Sequence, residues 1–152
     1  MANTGYKQGS LTYLLYNAGS PIDGVAVADQ AVLTSDAVSL ALLATRVYTV
    51  TAVEDNTGAC DGNLYISILG SDLDPDSEGF QAGPTTGATP VYTDVVMSGG
   101  IIDPVQNQTR ISAPISVSGS QCPRHKVHVL NDGGQELAVT INYVDINVPP
   151  AS

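Results

Sequence analysis

The feature of this sequence that most constrains its fold is its preference for β-branched residues over helix formers. Val, Ile and Thr together number 39, whereas Glu and Lys together number five. β-Branched side chains pack well on a pleated sheet and lose rotamer freedom in a helix. An amphipathic helix also needs a polar face, which is usually built from Glu, Lys, Gln and Arg. The sequence therefore predicts an all-β chain, folded as a β-sandwich, a jelly roll or a small barrel.

Length and turn residues suggest how the chain is divided. Its 152 residues suit one domain with a sizeable core. We expect residues 25–148 to form this β domain and residues 149–152 to form a short tail. Residues 1–24 contain three tyrosines and form either an extended arm that lies on a neighbouring molecule or the first strand of the core.

Apolar runs between turn residues predict the main strands. These are residues 46–54, 64–69 and 91–97, the last closed by Gly99-Gly100. Residues 37–44 form either one short helix or a continuation of the strand that follows. Residues 109–118 alternate but contain Pro114, which cannot donate to a ladder, so they predict an edge or bulged strand.

The end of the chain predicts a β-hairpin. Residues 125–130 and 136–148 flank the turn-forming segment 131–134, which reads Asn-Asp-Gly-Gly. In the second strand the apolar positions change parity after Tyr143. This change predicts a bulge near Tyr143, or a strand that passes from one sheet to another.

The charge balance excludes some classes of partner. Five basic and fifteen acidic residues give a formal net charge of −10, which argues against binding to nucleic acid or to an anionic membrane. No signal peptide and no apolar run of about 20 residues is visible, so we expect synthesis in a cytoplasm. Cys60 and Cys122 permit one disulfide without requiring it, and cytoplasmic synthesis favours free thiols.

An acidic loop is the best metal candidate. Asp72, Asp74, Asp76 and Glu78 alternate in a loop spanning residues 70–90, as the first ligands of a calcium loop do. The resemblance is partial, because Ser77 and Gly83 stand where a calcium loop has Gly and a bidentate Glu. A solvated acidic loop, or a negative patch facing a basic partner, is the preferred explanation of this spacing. We therefore predict no metal site and no cofactor.

Other chemistry has little support in the sequence. His125 and His128 are three residues apart on a strand, which places them on opposite faces, and only Cys122 could be a nearby third zinc ligand. No nucleophile elbow, zinc-protease motif, P-loop or dinucleotide-binding motif occurs. We predict no catalytic residues and no enzymatic activity.

Taken together, a low-charge chain rich in Ala, Gly, Thr and Val, an arm-like N-terminal segment, many short strands and no catalytic motif resemble the decoration (cement) proteins of tailed-bacteriophage heads. The resemblance implies a virion protein of the capsid surface, made in the host cytoplasm. It also implies a homo-oligomer, a trimer more often than a dimer, that stabilises the lattice of the major capsid protein.

Tyrosine is enriched at protein interfaces, so we expect Tyr6, Tyr13 and Tyr16 to contact the shell or a neighbouring protomer. Alternatives remain open: a carbohydrate- or cell-surface-binding module, an acidic-loop hydrolase, or a phage tail, fibre or head-completion component.

Overall fold

The computed structural model describes residues 7–8, 12–54, 58–71, 79–85 and 97–147. Every regular element in these ranges is a β-strand, which confirms the all-β prediction. None of the described residues forms a helix that is long and apolar enough to cross a membrane. The strands are β1 (Lys7–Gln8), β2 (Tyr13–Leu14), β3 (Tyr16–Asn17), β4 (Ser20–Pro21), β5 (Val25–Val27), β6 (Ala31–Thr34), β7 (Val38–Ser39), β8 (Ala44–Val53), β9 (Asn63–Gly70), β10 (Met97–Ile102), β11 (Thr109–Ile111), β12 (Ile115–Ser118), β13 (Arg124–Asp132) and β14 (Leu137–Asn147).

Two antiparallel sheets carry these strands. In the first sheet β14 and β8 are the central pair, with β1, β2 and β5 along the free edge of β14 and β11 and β12 along the free edge of β8. In the second sheet the order is β10-β9-β13, and β6 and β7 share the free edge of β13. Strands β3 and β4 form a separate small hairpin.

The connectivity is that of a jelly roll. Three groups of strands share one edge each: β1, β2 and β5; β6 and β7; and β11 and β12. Counting each group as one strand leaves eight strands in the two sheets, which we number 1 to 8 in chain order. Their order is 1-8-3-6 in the first sheet and 5-4-7-2 in the second. This interleaving of two four-stranded sheets is the jelly-roll arrangement. The chain therefore forms one β-sandwich domain with two sheets around a common core.

The core lies between the sheets and is built from alternate residues of the long strands. The core residues of the central strands are Tyr48, Val50, Ala52, Leu64, Ile66, Ile68, Val127, Val129, Leu137, Val139 and Ile141. Burying each of the Val, Leu and Ile side chains among them contributes about 1.5–3 kcal/mol relative to exposure. In residues 47–53 and 137–143 it is the inward-facing half of each strand that builds this core.

The predicted hairpin of residues 125–130 and 136–148 is wrong. β13 and β14 lie in different sheets, and the turn between them crosses from one sheet to the other. Asn131 is buried in this crossing, where its amide donates hydrogen bonds to the carbonyl oxygens of Val27 and Gln135 at 2.9 and 2.7 Å. β13 and β14 each have an apolar face. When the two strands lie in opposite sheets, these faces meet across the core and both are buried.

The predicted bulge near Tyr143 is also wrong. β14 pairs with β8 in one unbroken register, from Ala138 opposite Val53 to Asn147 opposite Ala44. Tyr143 therefore stays on the inner face, and so does Asp145. The apolar residues of opposite parity, Val144 and Ile146, lie on the outer face. The change of parity in the sequence therefore arises because the apolar residues of β14 lie on its inner face up to Tyr143 and on its outer face after it.

Most other strand predictions agree with the structure. Residues 46–54 and 64–69 correspond to β8 and β9, and residues 109–118 divide at Pro114 into two edge strands. Residues 91–96 of the predicted strand 91–97 lie outside the described residues. Gly99 and Gly100, predicted to close that strand, lie inside β10, where the register shifts against β9. Within residues 37–44 the structure has the short strand β7 and a turn in place of a helix.

The described part of residues 1–24 lies against the first sheet. Tyr13 and Leu14 pair with Tyr143 and Asn142. Leu15 is buried whereas Tyr13 remains about half exposed. Contact of this segment with a neighbouring molecule stays a prediction, and residues 149–152 lie outside the described ranges.

Candidate binding site

A pocket of about 230 Å³ opens at one edge of the sandwich, between the N-terminal segment, β7 and the ends of β8 and β14. We call it the Tyr–Arg pocket. Its walls include Leu14, Tyr16, Asp36, Ser39, Arg46 and Tyr143. Because the two sheets contribute opposite walls, the jelly-roll packing shapes the pocket.

Aromatic and cationic groups form one wall. The rings of Tyr13 and Tyr143 stack with their centroids 5.5 Å apart, and the guanidinium of Arg46 lies 3.8 Å from the centroid of the Tyr143 ring. Asp145 fixes that guanidinium by accepting two hydrogen bonds, from Nε at 2.7 Å and from Nη2 at 3.1 Å. The planar two-pronged pairing orients Arg46 over the ring. This wall is therefore held together by ring stacking, a cation–π contact and an ion pair.

The opposite wall is polar and is also held in place. Asp36 accepts a hydrogen bond from the backbone N–H of Ala18 through Oδ1 at 2.9 Å, and its own N–H donates to the carbonyl of Tyr16 at 2.7 Å. Ser39 accepts a hydrogen bond from Arg124 at 3.2 Å. The bonds of Asp36 hold the β3–β4 hairpin beside β7. Tyr16, at the pocket mouth, is 51% exposed.

A pair of exposed leucines lies in the turn that joins β7 to β8. Leu42 and Leu43 are 68% and 73% exposed, the highest values among the large apolar side chains that the structure describes. Gly119 packs against this turn, and its N–H donates a hydrogen bond to the carbonyl oxygen of Ala44 at 2.8 Å. A Cβ on Gly119 would lie 1.8 Å from the carbonyl oxygen of Ala41. We call Leu42 and Leu43 the apolar tip.

The structure brings together part of the predicted partner-binding set. Tyr13 and Tyr16 both lie at this edge, exposed by 46% and 51%, whereas Tyr6 lies outside the described residues. The apolar tip and Arg46 were missed by the sequence reasoning. The indication in the sequence was the run 40–44, Leu-Ala-Leu-Leu-Ala, which has neither strand alternation nor enough length for a helix.

The other candidate ligands stand apart from this site. Asp72, Asp74, Asp76 and Glu78 all lie outside the described residues. The rest of the chain, as far as the structure describes it, has no cluster of three or more His, Cys, Asp or Glu side chains able to hold a metal. Cys60 and Cys122 are free thiols, and burial raises the pKa of both.

The two histidines are buried on opposite faces of β13, as predicted. His125 faces the core, where its Nδ1 donates to the carbonyl of Cys122 at 3.1 Å. Burial lowers the pKa of His125 to about 4, so the ring is neutral at physiological pH. His128 faces outward under residues 79–85 and donates through Nε2 to the carbonyl of Pro84 at 2.9 Å. Burial also lowers the pKa of His128.

Chemically, the edge of the sandwich is equipped for contact. It combines exposed apolar surface, stacked rings and a cation already neutralised by Asp145. No protein-family model matches this sequence, and no curated protein is significantly similar to it.

Proposed function

We propose that this protein is a structural virion component that binds the outside of a tailed-phage head and stabilises the lattice of the major capsid protein. The adhesive surface in this proposal is the apolar tip together with the mouth of the Tyr–Arg pocket. The protein acts by contact and performs no catalysis.

The observation that carries the proposal is the exposure of Leu42 and Leu43 on a turn held by close backbone packing. Two adjacent leucines left in water on a rigid turn contribute nothing to the core. Each gains about 1.5–3 kcal/mol when a partner covers it fully. A fixed tip loses little conformational entropy on binding, which favours a preformed contact over an induced one.

The neighbouring groups fit an interface with a protein. Tyr16 adds a large ring at low entropy cost, and Tyr and Arg are enriched where interfaces bury surface. Beyond the tip, the net charge of −10 favours a basic rim on the partner and disfavours nucleic acid and anionic membranes. The same charge keeps the free protein soluble until it meets the shell.

The jelly-roll fold is compatible with this role and does not decide it. Jelly rolls occur in viral capsid and lectin domains alike. Function belongs to the site on a fold and not to the fold itself. The proposal therefore depends on the tip and the pocket mouth.

The test is co-sedimentation of the protein with heads assembled from the major capsid protein of the virus that encodes it. We expect the wild type to sediment with the heads and to raise the temperature at which they disassemble. A Leu42→Ser/Leu43→Ser double variant should lose at least about tenfold in affinity, because about 1.4 kcal/mol corresponds to a factor of ten.

The matched control is Ile101→Ser, which removes a similarly exposed apolar side chain (57%) from β10, an edge strand of the second sheet. This variant should bind heads as the wild type does. Failure of the wild type to bind heads, or equal binding by the double variant, would overturn the proposal.

A second candidate function, recognition of a glycan, is favoured by the pocket itself. Its mouth combines the exposed ring of Tyr16 with the polar side chains of Asp36 and Ser39, and sugars bind through one apolar face and several hydrogen bonds. Binding of the wild type to an array of immobilised glycans, lost in Tyr16→Ala but kept in the double leucine variant, would favour this function over shell binding. If that glycan binding depended on calcium, the acidic residues between 72 and 78 would be the candidate calcium ligands.

A further inference from the structure

The outer face of the first sheet has an unusual composition for this chain. Outward-facing residues of β8 alternate with its core residues and are Thr45, Val47, Thr49, Thr51 and Val53. All five are half-buried, β-branched and uncharged. Such side chains are stiff and lose little entropy when a partner covers them.

The adjacent strand continues the same surface. Through the unbroken register with β8, the outward-facing residues of β14 are Ala138, Thr140, Asn142, Val144 and Ile146. None of these is charged either. Between Thr12 on one edge and Pro114 on the other, the middle of this surface holds a shallow depression of about 280 Å³.

The edge strands extend the uncharged surface on both sides. Ile111 opposes Thr51 and Ser116 opposes Val47, while Ala26 opposes Ala138 on the other edge. The carboxylate of Asp23, in the segment just before β5, borders this surface and accepts a hydrogen bond from the Thr140 hydroxyl at 3.4 Å. We call this five-row surface, four strands wide, the neutral face.

The absence of charge here is informative because the chain as a whole carries −10. Two copies repel each other wherever acidic surfaces meet, and they approach most easily through a face without charge. Depletion of charged residues is also the compositional mark of an interface centre. The opposite outer face of the sandwich differs, since Arg124 and Lys126 lie there beside the Phe80 ring of the covering segment 79–85.

The size of the neutral face is sufficient for a dimer. Five rows at two residues each span about 30 Å along the strands, and four strands span about 19 Å across them. Each copy therefore presents roughly 550 Å², and two copies bury about 1,100 Å². A specific interface needs about 1,000 Å².

We propose that a second copy of this chain covers the neutral face, so that two sandwiches pack sheet against sheet in a two-fold dimer. A face that packs on its own copy gives an isologous interface, in which each residue near the two-fold axis meets its equivalent. Aligned packing of two such sheets is a common arrangement at about 10 Å separation. A dimer of this kind would present two apolar tips to one shell, which raises avidity without a new contact.

The centre of the face identifies the residue to test. Thr49 opposes Asn142 in the middle row of the two central strands, so a two-fold axis through the centre of the face passes close to this pair. In a dimer, Thr49→Glu would place two like charges together and so would Thr49→Lys. Neither substitution reaches the core, because Thr49 points away from Tyr48 and Val50.

The experiment is sedimentation equilibrium on the full chain, with circular dichroism to establish that each variant is folded. We expect the wild type at about twice its 15.7 kDa, and both Thr49→Glu and Thr49→Lys at 15.7 kDa. An equimolar mixture of the two variants should regain dimers, because opposite charges then meet at the axis. Val32→Glu, a matched change at a 45% exposed position on the other sheet, should remain dimeric.

Several outcomes would overturn the proposal. A folded wild type that stays monomeric, or that forms a trimer, contradicts a two-fold contact through this face. So does a Thr49→Glu variant that remains dimeric, or a mixture of variants that remains monomeric. None of these measurements involves heads, so the proposed shell binding stands or falls separately.

Discussion

The hydroxyl of Tyr48 donates a hydrogen bond to Nε2 of His125 at 2.6 Å, and this bond joins the two sheets through the centre of the core. The direction of the bond is set by the other ring nitrogen. Nδ1 faces the carbonyl of Cys122, which can only accept, so Nδ1 carries the proton and Nε2 is left as an acceptor. Both side chains are completely buried. A neutral His125 is therefore a requirement of the folded core.

The first prediction concerns acid. The pKa of His125 is about 4 in the folded chain and 6.5 when exposed, so between these values the unfolded chain binds the additional proton. Protonation of His125 in the unfolded chain does not affect the free energy of unfolding above pH 6.5. As the pH falls from 6.5 toward about 4, this protonation lowers the free energy of unfolding. The loss should reach about 3 kcal/mol, since one pKa unit is worth about 1.4 kcal/mol. Urea unfolding at a series of pH values measures it.

Carboxylates also titrate in this range, so the acid prediction needs a matched variant. His125→Gln removes the titrating ring and should be less stable at neutral pH. Its free energy of unfolding should then fall less steeply than that of the wild type between pH 6.5 and 4. Parallel slopes for the two proteins would show that His125 does not cause the acid sensitivity.

The second prediction concerns the partner of the histidine. Tyr48→Phe keeps the ring but leaves Nε2 of His125 buried without a donor, which costs about 1–3 kcal/mol. Tyr13→Phe is the control, because Tyr13 is 46% exposed and water can replace its hydroxyl. Thermal unfolding followed by circular dichroism should show a clear drop for the first variant and little change for the second. Equal melting temperatures would contradict the role of the bond.

The third prediction concerns the support of the apolar tip. A Cβ at residue 119 would meet the carbonyl oxygen of Ala41 at 1.8 Å, so Gly119→Ala must push the β7–β8 turn away. We expect a loss of about 2–4 kcal/mol in unfolding free energy, in the range of the more damaging substitutions.

The control for Gly119 is another glycine with a different constraint. Gly24 has φ +61° with nothing near its Cβ position, so Gly24→Ala incurs only the left-handed backbone penalty of about 1–2 kcal/mol. Chemical denaturation of both variants compares the two effects. A smaller loss for Gly119→Ala than for Gly24→Ala would mean that the turn adjusts freely and that the tip is not rigid.

The fourth prediction concerns the β3–β4 hairpin. Ala18 and Gly19 both have positive φ, 49° and 80°, as a two-residue type I′ turn requires. Ala is poorly suited to the first position, and Asn is preferred there. Ala18→Asn should raise the free energy of unfolding by about 0.5–1 kcal/mol. Ala113→Asn, at an exposed position without positive φ, should not stabilise, and a gain there of similar size would contradict the explanation.

Local pattern alone determined the class of the fold and several of its strands. The alternation through Tyr48, Val50 and Ala52 identifies β8 and its buried face, because period-two burial is a property of each strand by itself. Pro114 likewise marks an edge without knowledge of any neighbour, since a missing N–H cannot join a central ladder. The opposite orientation of His125 and His128 follows from the same geometry.

Tertiary structure alone decided which strands are neighbours. β13 and β14 look like a hairpin in the sequence, yet they separate because each has an apolar face that the other covers across the core. The Tyr–Arg pocket and the neutral face follow from that choice, since Arg46 meets Tyr143 and Thr49 meets Asn142 only through the β8–β14 register. Burial of apolar area is a property of the whole chain, so no local pattern contains it.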